Sequence, residues 1–385
     1  MKNRKKKTIF LLCLIICMFM NGSVQAKKEQ EEQQQESQIE SYMEELDLQS
    51  VQDAVDELLP QDRLDIRTMI TQMCRGNIPL SGETIGRLAE STLYSEIKRQ
   101  RTTITQILIL AVASSVFSVF MSAFTQSRVQ ELAFYMVYLL LFVLLLDSFQ
   151  EQSRLAEKTM QSVLQFMRLL LPVYLLAASL SAEQMTAAGF YEVVLFLIMT
   201  VQSLIRYVLM PGTGCYLLVA MVGNFTRESC LTRMTELLRK AVSWCLKTLL
   251  ALVIGIQTIQ SILFPAIDKM KNSIWIRAGG VIPVVGNTLS SVAETLLGTA
   301  SILKHAVGTG GIIILIYLCI RPVIRLSVCL LLYKLIGAVI QPVADPRFVR
   351  CVDHMADAAA LLLMAVAITG VMFFLTLAIV TTAGG

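Results

Sequence analysis

Apolar and polar positions divide the chain into a short amphipathic front and a long apolar body. Over residues 39–59 Ile39, Met43, Leu46, Val51, Val55 and Leu58 recur at near-helical spacing, until Pro60 ends the pattern. A second amphipathic stretch carries Leu64, Ile66, Ile70 and Met73. Asn77-Ile78-Pro79 then predicts a turn, and Ser81 caps a third helix through Ile85, Leu88, Leu93 and Ile97. Three helices in about sixty residues make a thin core, so this head needs a partner or the membrane domain to pack on.

From residue 104 the runs are long enough to cross a bilayer. Spans are predicted at 104–125, 132–149, 163–181 (with Arg168 and Pro172 inside) and 189–210. Ser114, Ser118 and Ser122 repeat every fourth position in the first, the spacing that lets helices approach closely in lipid. Pro211-Gly212-Thr213-Gly214 breaks the chain before a short fifth span at 215–224. Residues 226–242 form a basic amphipathic loop helix, followed by a span at 243–264. The run 307–341 would measure about 52 Å as one helix, too long for a single crossing. Two short helices joined at Arg321-Pro322 are predicted there, and a last span at 358–381. The fold class is therefore all-α: a polytopic α-helical integral membrane protein of about seven to nine spans, with a broken or re-entrant helix and a small helical extracytoplasmic head.

The N-terminus reads as a targeting segment. Lys2, Arg4, Lys5, Lys6 and Lys7 precede an apolar run at 9–20, Asn21-Gly22 interrupts it, and Val24-Gln25-Ala26 supplies small residues for cleavage after Ala26. The twelve-residue run is too short to span about 30 Å; an uncleaved anchor is the alternative. Residues 27–38 are a polar tether. The domain order is then a signal peptide at 1–26, an acidic helical region at 27–102, N-terminal membrane helices at 103–225, the basic loop helix at 226–242, and a C-terminal membrane domain at 243–385.

Composition agrees. Of 385 residues 55% are hydrophobic and only 16% charged, against about 25% charged in soluble domains. Disordered and collagen-like chains are excluded with the ordinary cytosolic enzyme. The net charge of +4 conceals sixteen acids against nine bases in 27–101, and thirteen against nineteen in 102–385. No basic patch interleaved with aromatics suits nucleic acid. Cys74 is the one cysteine of the mature head, and the six beyond it lie in or beside apolar segments, where Cys acts as a small hydrophobe. With the head outside, five crossings place 225–247 in the cytoplasm. That loop carries Arg227, Arg233, Arg239, Lys240 and Lys247 against Glu228 and Glu236, as the positive-inside rule expects. The same scheme leaves Arg154 and Lys158 outside, against the rule.

Catalytic signatures are absent from the sequence. Two histidines, His305 and His354, exclude an H-E-x-x-H site, and no phosphate-binding G-x-x-x-x-G-K-[ST] loop occurs. Cys351 and His354 have C-x-x-H spacing but no neighbouring ligands to complete a zinc site. No metal, cofactor or enzymatic activity is expected. Charges within apolar segments carry more weight, because they are costly there. Glu192 and Arg206 share a helix face and suggest a pathway; reaching the interface from opposite helix ends is the structural alternative. Lys334 and the Arg321/Arg325 pair admit the same two readings. Residues 278–305 are the most informative. Gly279, Gly280, Pro283 and Gly286 interrupt an apolar run, after which Asn287, Ser291, Glu294, Gly298, Ser301 and His305 form a polar stripe on a helix. Broken backbone at membrane depth requires protein or a water cavity around it. The stripe is either the wall of a passage or a packing seam through Gly298.

The chain resembles the stage III sporulation protein AE family of endospore-forming bacteria. The resemblance rests on Phe264-Pro265-Ala266, Ile282-Pro283-Val284-Val285-Gly286, Glu294 with Gly298, and Lys304 before Ala306-Val307-Gly308. It continues through Tyr333-Lys334, Gln341-Pro342 and Gly370-Val371-Met372-Phe373-Phe374. His305 departs from the pattern, which has Asn there. The resemblance implies a multi-pass protein of the mother-cell membrane around the forespore. Its partners would be a secretion-type ATPase, ring-forming membrane proteins and the lipid bilayer. It carries over no catalytic residues. The expected function is a channel or export-gate subunit of that secretion-like complex, required for sporulation. A secondary transporter for a small solute and a non-conducting assembly scaffold are the alternatives.

Overall fold

The computed structural model describes residues 48–59, 65–74, 82–122, 127–180, 196–225, 231–279 and 286–382, with isolated positions at 41–46. Along these helices the side chains at 82–85, 117–131, 178–180 and 260–297 are not described. No strand occurs among the described residues. The helices are α1 (Leu48–Leu58), α2 (Ile66–Cys74), α3 (Gly82–Ser122), α4 (Ser127–Leu180), α5 (196–225), α6 (Thr232–Gly279), α7 (Gly286–Ile340) and α8 (Pro346–Thr382). The signal peptide, the tether, Glu192 and residues 280–285 of the expected break lie outside the described residues.

Several predicted boundaries disappear. The third head helix and the first span are one helix, α3. The second and third spans are likewise one helix, α4, whose 54 residues make about 81 Å. The linker between them, residues 150–162, interrupts hydropathy but not helicity. It has no Gly or Pro, and Gln152, Ala156, Thr159 and Met160 keep a buried face turned inward. Pro322 does not divide 307–341 either: it lies inside α7, a helix of 55 residues. No described residue from 303 to 330 is exposed, though 319–325 around the proline are only half-buried, and the flanking turns carry the helix past the lost hydrogen bond.

Pro211-Gly212-Thr213-Gly214 does not break the chain. The predicted fourth and fifth spans form α5, with a π-helical stretch at Ile205–Leu209 directly before the proline. The Met210 N–H bonds to the Ile205 carbonyl, five residues back. Pro211 has no N–H to give and its ring crowds the preceding turn; the wider π turn accommodates both. Among the described residues five helical stretches are long and apolar enough to cross a membrane: Phe134–Ala177, Phe196–Asn224, Thr232–Ile259, Gly298–Ile340 and Pro346–Ile379. Merging turns six of the expected segments into three of these, and the expected span at 104–125 runs partly outside the described residues.

Contacts fix the register of the bundle. At one end the Tyr138 hydroxyl donates to the Met221 carbonyl. Phe348 meets the rings of Phe134 and Tyr138 edge-on at 5.6 and 6.0 Å, and the Arg347 guanidinium lies 3.5 Å over Phe134. Arg350 Nε donates to Asn224 Oδ1 at 3.2 Å. The start of α4, the end of α5 and the α7–α8 link therefore gather at this basic end. Farther along, Ser148 hydrogen-bonds Tyr333, and Gln202 Nε2 reaches the Met160 carbonyl at 3.3 Å. At the opposite end glycines bring helices together. A Cβ on Gly308 would collide with Thr381, and one on Gly311 with Leu170.

The head docks at that opposite end. Asp65 Oδ1 accepts from the Thr68 N–H at 3.2 Å and Oδ2 from its hydroxyl at 2.6 Å, capping α2. Gln52 ties α1 to α2 by accepting from the Ile66 N–H at 2.8 Å. Their apolar faces, with Val51, Val55, Met69 and Ile70 buried, lie on Leu170 and Val173 of α4 and on Gly310 and Ile314 of α7. The thin core is thus completed by the membrane domain. Gly310 lies against the head: a Cβ there would make ordinary contact with Met69 Cε at 3.5 Å and Met73 Sδ at 3.7 Å.

Candidate functional site

The charged residues of the apolar body are gathered into three clusters that join different helices. The first surrounds Lys334 on α7. Its Nζ lies 3.4 Å from Asp353 Oδ1 and 3.4 Å from Asp357 Oδ1, two carboxylates one helical turn apart on α8. Asp357 Oδ2 accepts from Arg239 Nη1 of α6 at 2.7 Å. Beside them His354 Nδ1 stands 3.0 Å from the Tyr216 hydroxyl of α5. Four helices thus meet in one network with two cations and two carboxylates. Gly337 makes room for it, as a Cβ there would come within 3.3 Å of Asp353 Oδ1.

The second cluster centres on Glu96 of α3, whose side chain is 0% exposed. Arg99 Nη2 donates to it at 2.7 Å, Gln100 Nε2 at 3.1 Å, and Arg325 Nε of α7 lies 3.3 Å away. Arg99 also pairs with Glu151 of α4. Gln100 and Glu96 both touch the Cys329 thiol, at 3.3 and 3.7 Å. Burial opposes the Glu96 charge. The hydrogen bonds from Arg99 and Gln100, with the charges of Arg99 and Arg325, outweigh it and hold the carboxyl below the usual carboxylate range.

The third cluster contains Arg206, in the π-helical stretch of α5. Its Nη2 lies 2.8 Å from Glu157 Oε1 of α4 and its Nε 2.9 Å from the same oxygen. One turn earlier Gln202 bonds the Met160 carbonyl and accepts from Thr369 Oγ1 of α8 at 3.2 Å. π turns are enriched at functional positions.

Of the charges singled out in the sequence, Lys334, Arg206 and Arg325 each take a partner on another helix, and the partner of Arg206 is Glu157. The partners Glu96, Glu157, Asp353, Asp357 and Arg239 were missed, because the sequence places them 19 to 229 positions away. One signal was available for the α8 pair: two carboxylates at i, i+4 at the head of an apolar run. Asn287, Ser291 and Glu294 fall on the first turns of α7, where only the backbone is described. Farther along the stripe Gly298 is exposed, Ser301 and His305 are half-buried, and a Cβ on Gly298 would meet nothing within 4 Å. Thr299, Leu303 and Lys304, on the neighbouring face, are buried. Among the described residues no three His, Cys, Asp or Glu side chains are grouped to hold a metal ion.

An all-helical bundle with membrane-length apolar helices, cross-linked internally by ion pairs, defines the class: a multi-helix membrane protein. Its family is shown by comparison. The family model described as "Stage III sporulation protein AE (spore_III_AE)" matches residues 64–384, and the chain belongs to that family of sporulation proteins. A curated relative, "Stage III sporulation protein AE" of Bacillus subtilis (strain 168), is 27% identical over 332 residues, covering 85% of this chain and 82% of its own. No solved structure matches the chain.

Proposed function

We propose that this protein is the membrane channel or export-gate subunit of a secretion-like complex linking mother cell and forespore. The observation that carries the reading is the construction of α7. None of its residues from 303 to 330 is exposed, and its charges Arg325 and Lys334 are met by carboxylates on α3 and α8. Charges within apolar helices are costly and are a mark of pathways and switches. Ion pairs between helices can be exchanged as the helices move, and uniform apolar packing offers no such alternative. In this reading the chain catalyses nothing and needs no cofactor. Its partners are the complex's secretion-type ATPase, its ring-forming membrane proteins and the bilayer of the mother-cell membrane, with the acidic region 27–102 outside the cytoplasm after a cleaved signal peptide.

The stripe of Asn287, Ser291, Glu294, Gly298, Ser301 and His305 is the proposed wall of the passage. The motive is the recurrence of polar side chains at helical spacing, beside the buried face of Thr299, Leu303 and Lys304. Glu294→Gln keeps the shape and removes the charge; Gly298→Leu keeps the charge and adds bulk. The passage reading expects Glu294→Gln to lower the yield of heat-resistant spores at normal protein abundance. Wild-type spore yield for Glu294→Gln, with loss of accumulation for Gly298→Leu, makes the stripe a packing seam and removes the passage from it.

A further inference from the structure

Phe134–Ala177 on α4 and Gly298–Ile340 on α7 are each apolar enough to cross a membrane and, at 44 and 43 residues, far longer than one crossing needs. The register of the bundle allows only part of each. Tyr138 marks the basic end, where Arg347, Arg350 and the end of α5 gather. Leu170 marks the seat of the head on α4. The two residues are 32 positions apart on one continuous helix, about 48 Å. The hydrocarbon core is about 30 Å thick. Even a 40° tilt, the upper end of the observed range, leaves about 37 Å between the two levels. With the basic end at one interface, the core is crossed within about twenty residues of α4.

Three independent features mark where it stops. Charges reappear on α4 at Glu151, Arg154, Glu157 and Lys158, about 20–30 Å from Tyr138. They reappear at the same level on neighbouring helices, as Arg99, Arg325 and Arg206 paired across α3, α7 and α5. Beyond that level α1 and α2 cover the flank of α4 and α7 and present Gln49, Asp53, Asp56 and Arg67 outward. The α3 segment beside them exposes Arg87, Glu90 and Lys98. Acyl chains cannot cover these side chains at an acceptable cost. Toward the basic end the outward residues of α3 and α4 are by contrast apolar, Ile109, Val116, Leu139 and Leu140, and α7 adds Leu335 and Val339 beside the exposed Lys334, while α6 turns Arg233, Glu236 and Lys240 outward.

We propose that the bilayer encloses only the basic-end half of the bundle, and that the head-bearing half of α4 and α7 stands in the aqueous space beyond it. The Lys334–Asp353–Asp357–Arg239 network then lies within the band, about 15 Å from the Tyr138 level, since Tyr333 faces Ser148, and its half-exposed Lys334, Asp353 and Arg239 require water or a partner helix there in place of lipid. This placement puts the stripe at 287–305 beyond the bilayer, so any passage it lines runs through the aqueous space, and the test reads lipid contact alone.

The chain has two tryptophans, Trp244 and Trp275. With both replaced by Phe, single tryptophans are placed in the full chain at Leu139 or Leu335, inside the band, and at Leu176 or Ile302, beyond it. All four positions are exposed and tolerate a larger side chain. Tyr94→Trp, at a position 74% exposed on α3, is a conservative second probe beyond the band. Each purified variant is reconstituted in bilayers of dibrominated phosphatidylcholine, whose bromines quench tryptophan on contact. Loss of most emission is expected at 139 and 335, with emission retained at 176, 302 and 94. Quenching at 176 and 302 as deep as at 139 would overturn the proposal and restore the full-length spans.

Discussion

Replacing Glu96 tests whether the α3–α7 ion cluster holds the bundle together. The carboxylate is fully buried between two guanidinium groups and the Gln100 amide, so Glu96→Gln removes one charge and keeps the volume. Breaking a buried pair by deleting one member costs about 3–5 kcal/mol. Arg99 and Arg325 are each 37% exposed, so water resolvates much of what they lose. The expected cost of Glu96→Gln is therefore about 2 kcal/mol. Arg325→Gln leaves Glu96 its Arg99 partner and should cost about 1 kcal/mol. The double variant should fall short of the sum by about 1 kcal/mol, because the second change removes a charge already bereft. Unfolding of the purified protein in detergent, monitored by helix content, measures the cycle. Additivity within about 0.5 kcal/mol would refute coupling between α3 and α7 through this pair. The sign with pH is also fixed. The folded carboxyl ionises below its ordinary value of 4.5, so the unfolded chain binds more protons there. The stabilisation is full above 4.5 and fades as pH falls through the depressed folded value. Glu96→Gln should flatten the wild-type loss of stability in that acid range.

Gly308→Val and Gly311→Val should abolish accumulation of the protein, because their Cβ atoms run into Thr381 and Leu170, whereas Gly298→Ala should accumulate normally; immunoblotting of membranes reads both. Lys334→Met removes a cation shared by Asp353 and Asp357 and should lower the count of heat-resistant spores, with Lys334→Arg retaining more of it; equal counts for the two variants would show that the charge is dispensable. Asp65→Ala deletes the cap of α2 and should destabilise the head by about 1 kcal/mol, seen as faster proteolysis of residues 48–74 while the bundle stays intact.

The helices themselves were legible because their signal is local. Long apolar stretches with helical spacing announce themselves in any window, and the head's amphipathic pattern at 48–58 and 66–74 became α1 and α2. Helix ends were less legible, because hydropathy reports solvent and says little about backbone continuity. Residues 150–162 are polar and remain helical; Pro322 is a helix breaker in isolation and yet lies inside α7. Pro211 is absorbed by widening one turn. The candidate charges were legible as unusual residues, and their partners were not. A salt bridge such as Arg325–Glu96 depends on tertiary register, which a single sequence does not encode in any short window.

Merging of the helices changes the count on which the proposed orientation rests. The sequence reading counted five crossings before the basic loop at 225–247 and left Arg154 and Lys158 stranded on the wrong side. The structure merges the second segment with the third and the fourth with the fifth, leaving α3, α4 and α5 before that loop. Five becomes three, both are odd, and the basic turn still falls at the end of the bundle opposite the head. Arg154 and Lys158 cease to be loop residues at all. They lie midway along α4, beside the Glu157 that pairs with Arg206, so a rule about loop charges no longer applies to them. The observation that counted against the topology was a product of dividing α4 in two. What remains of the basic bias, Arg233 and Arg239 on α6 with Arg347 and Arg350 on α8, is concentrated at one end.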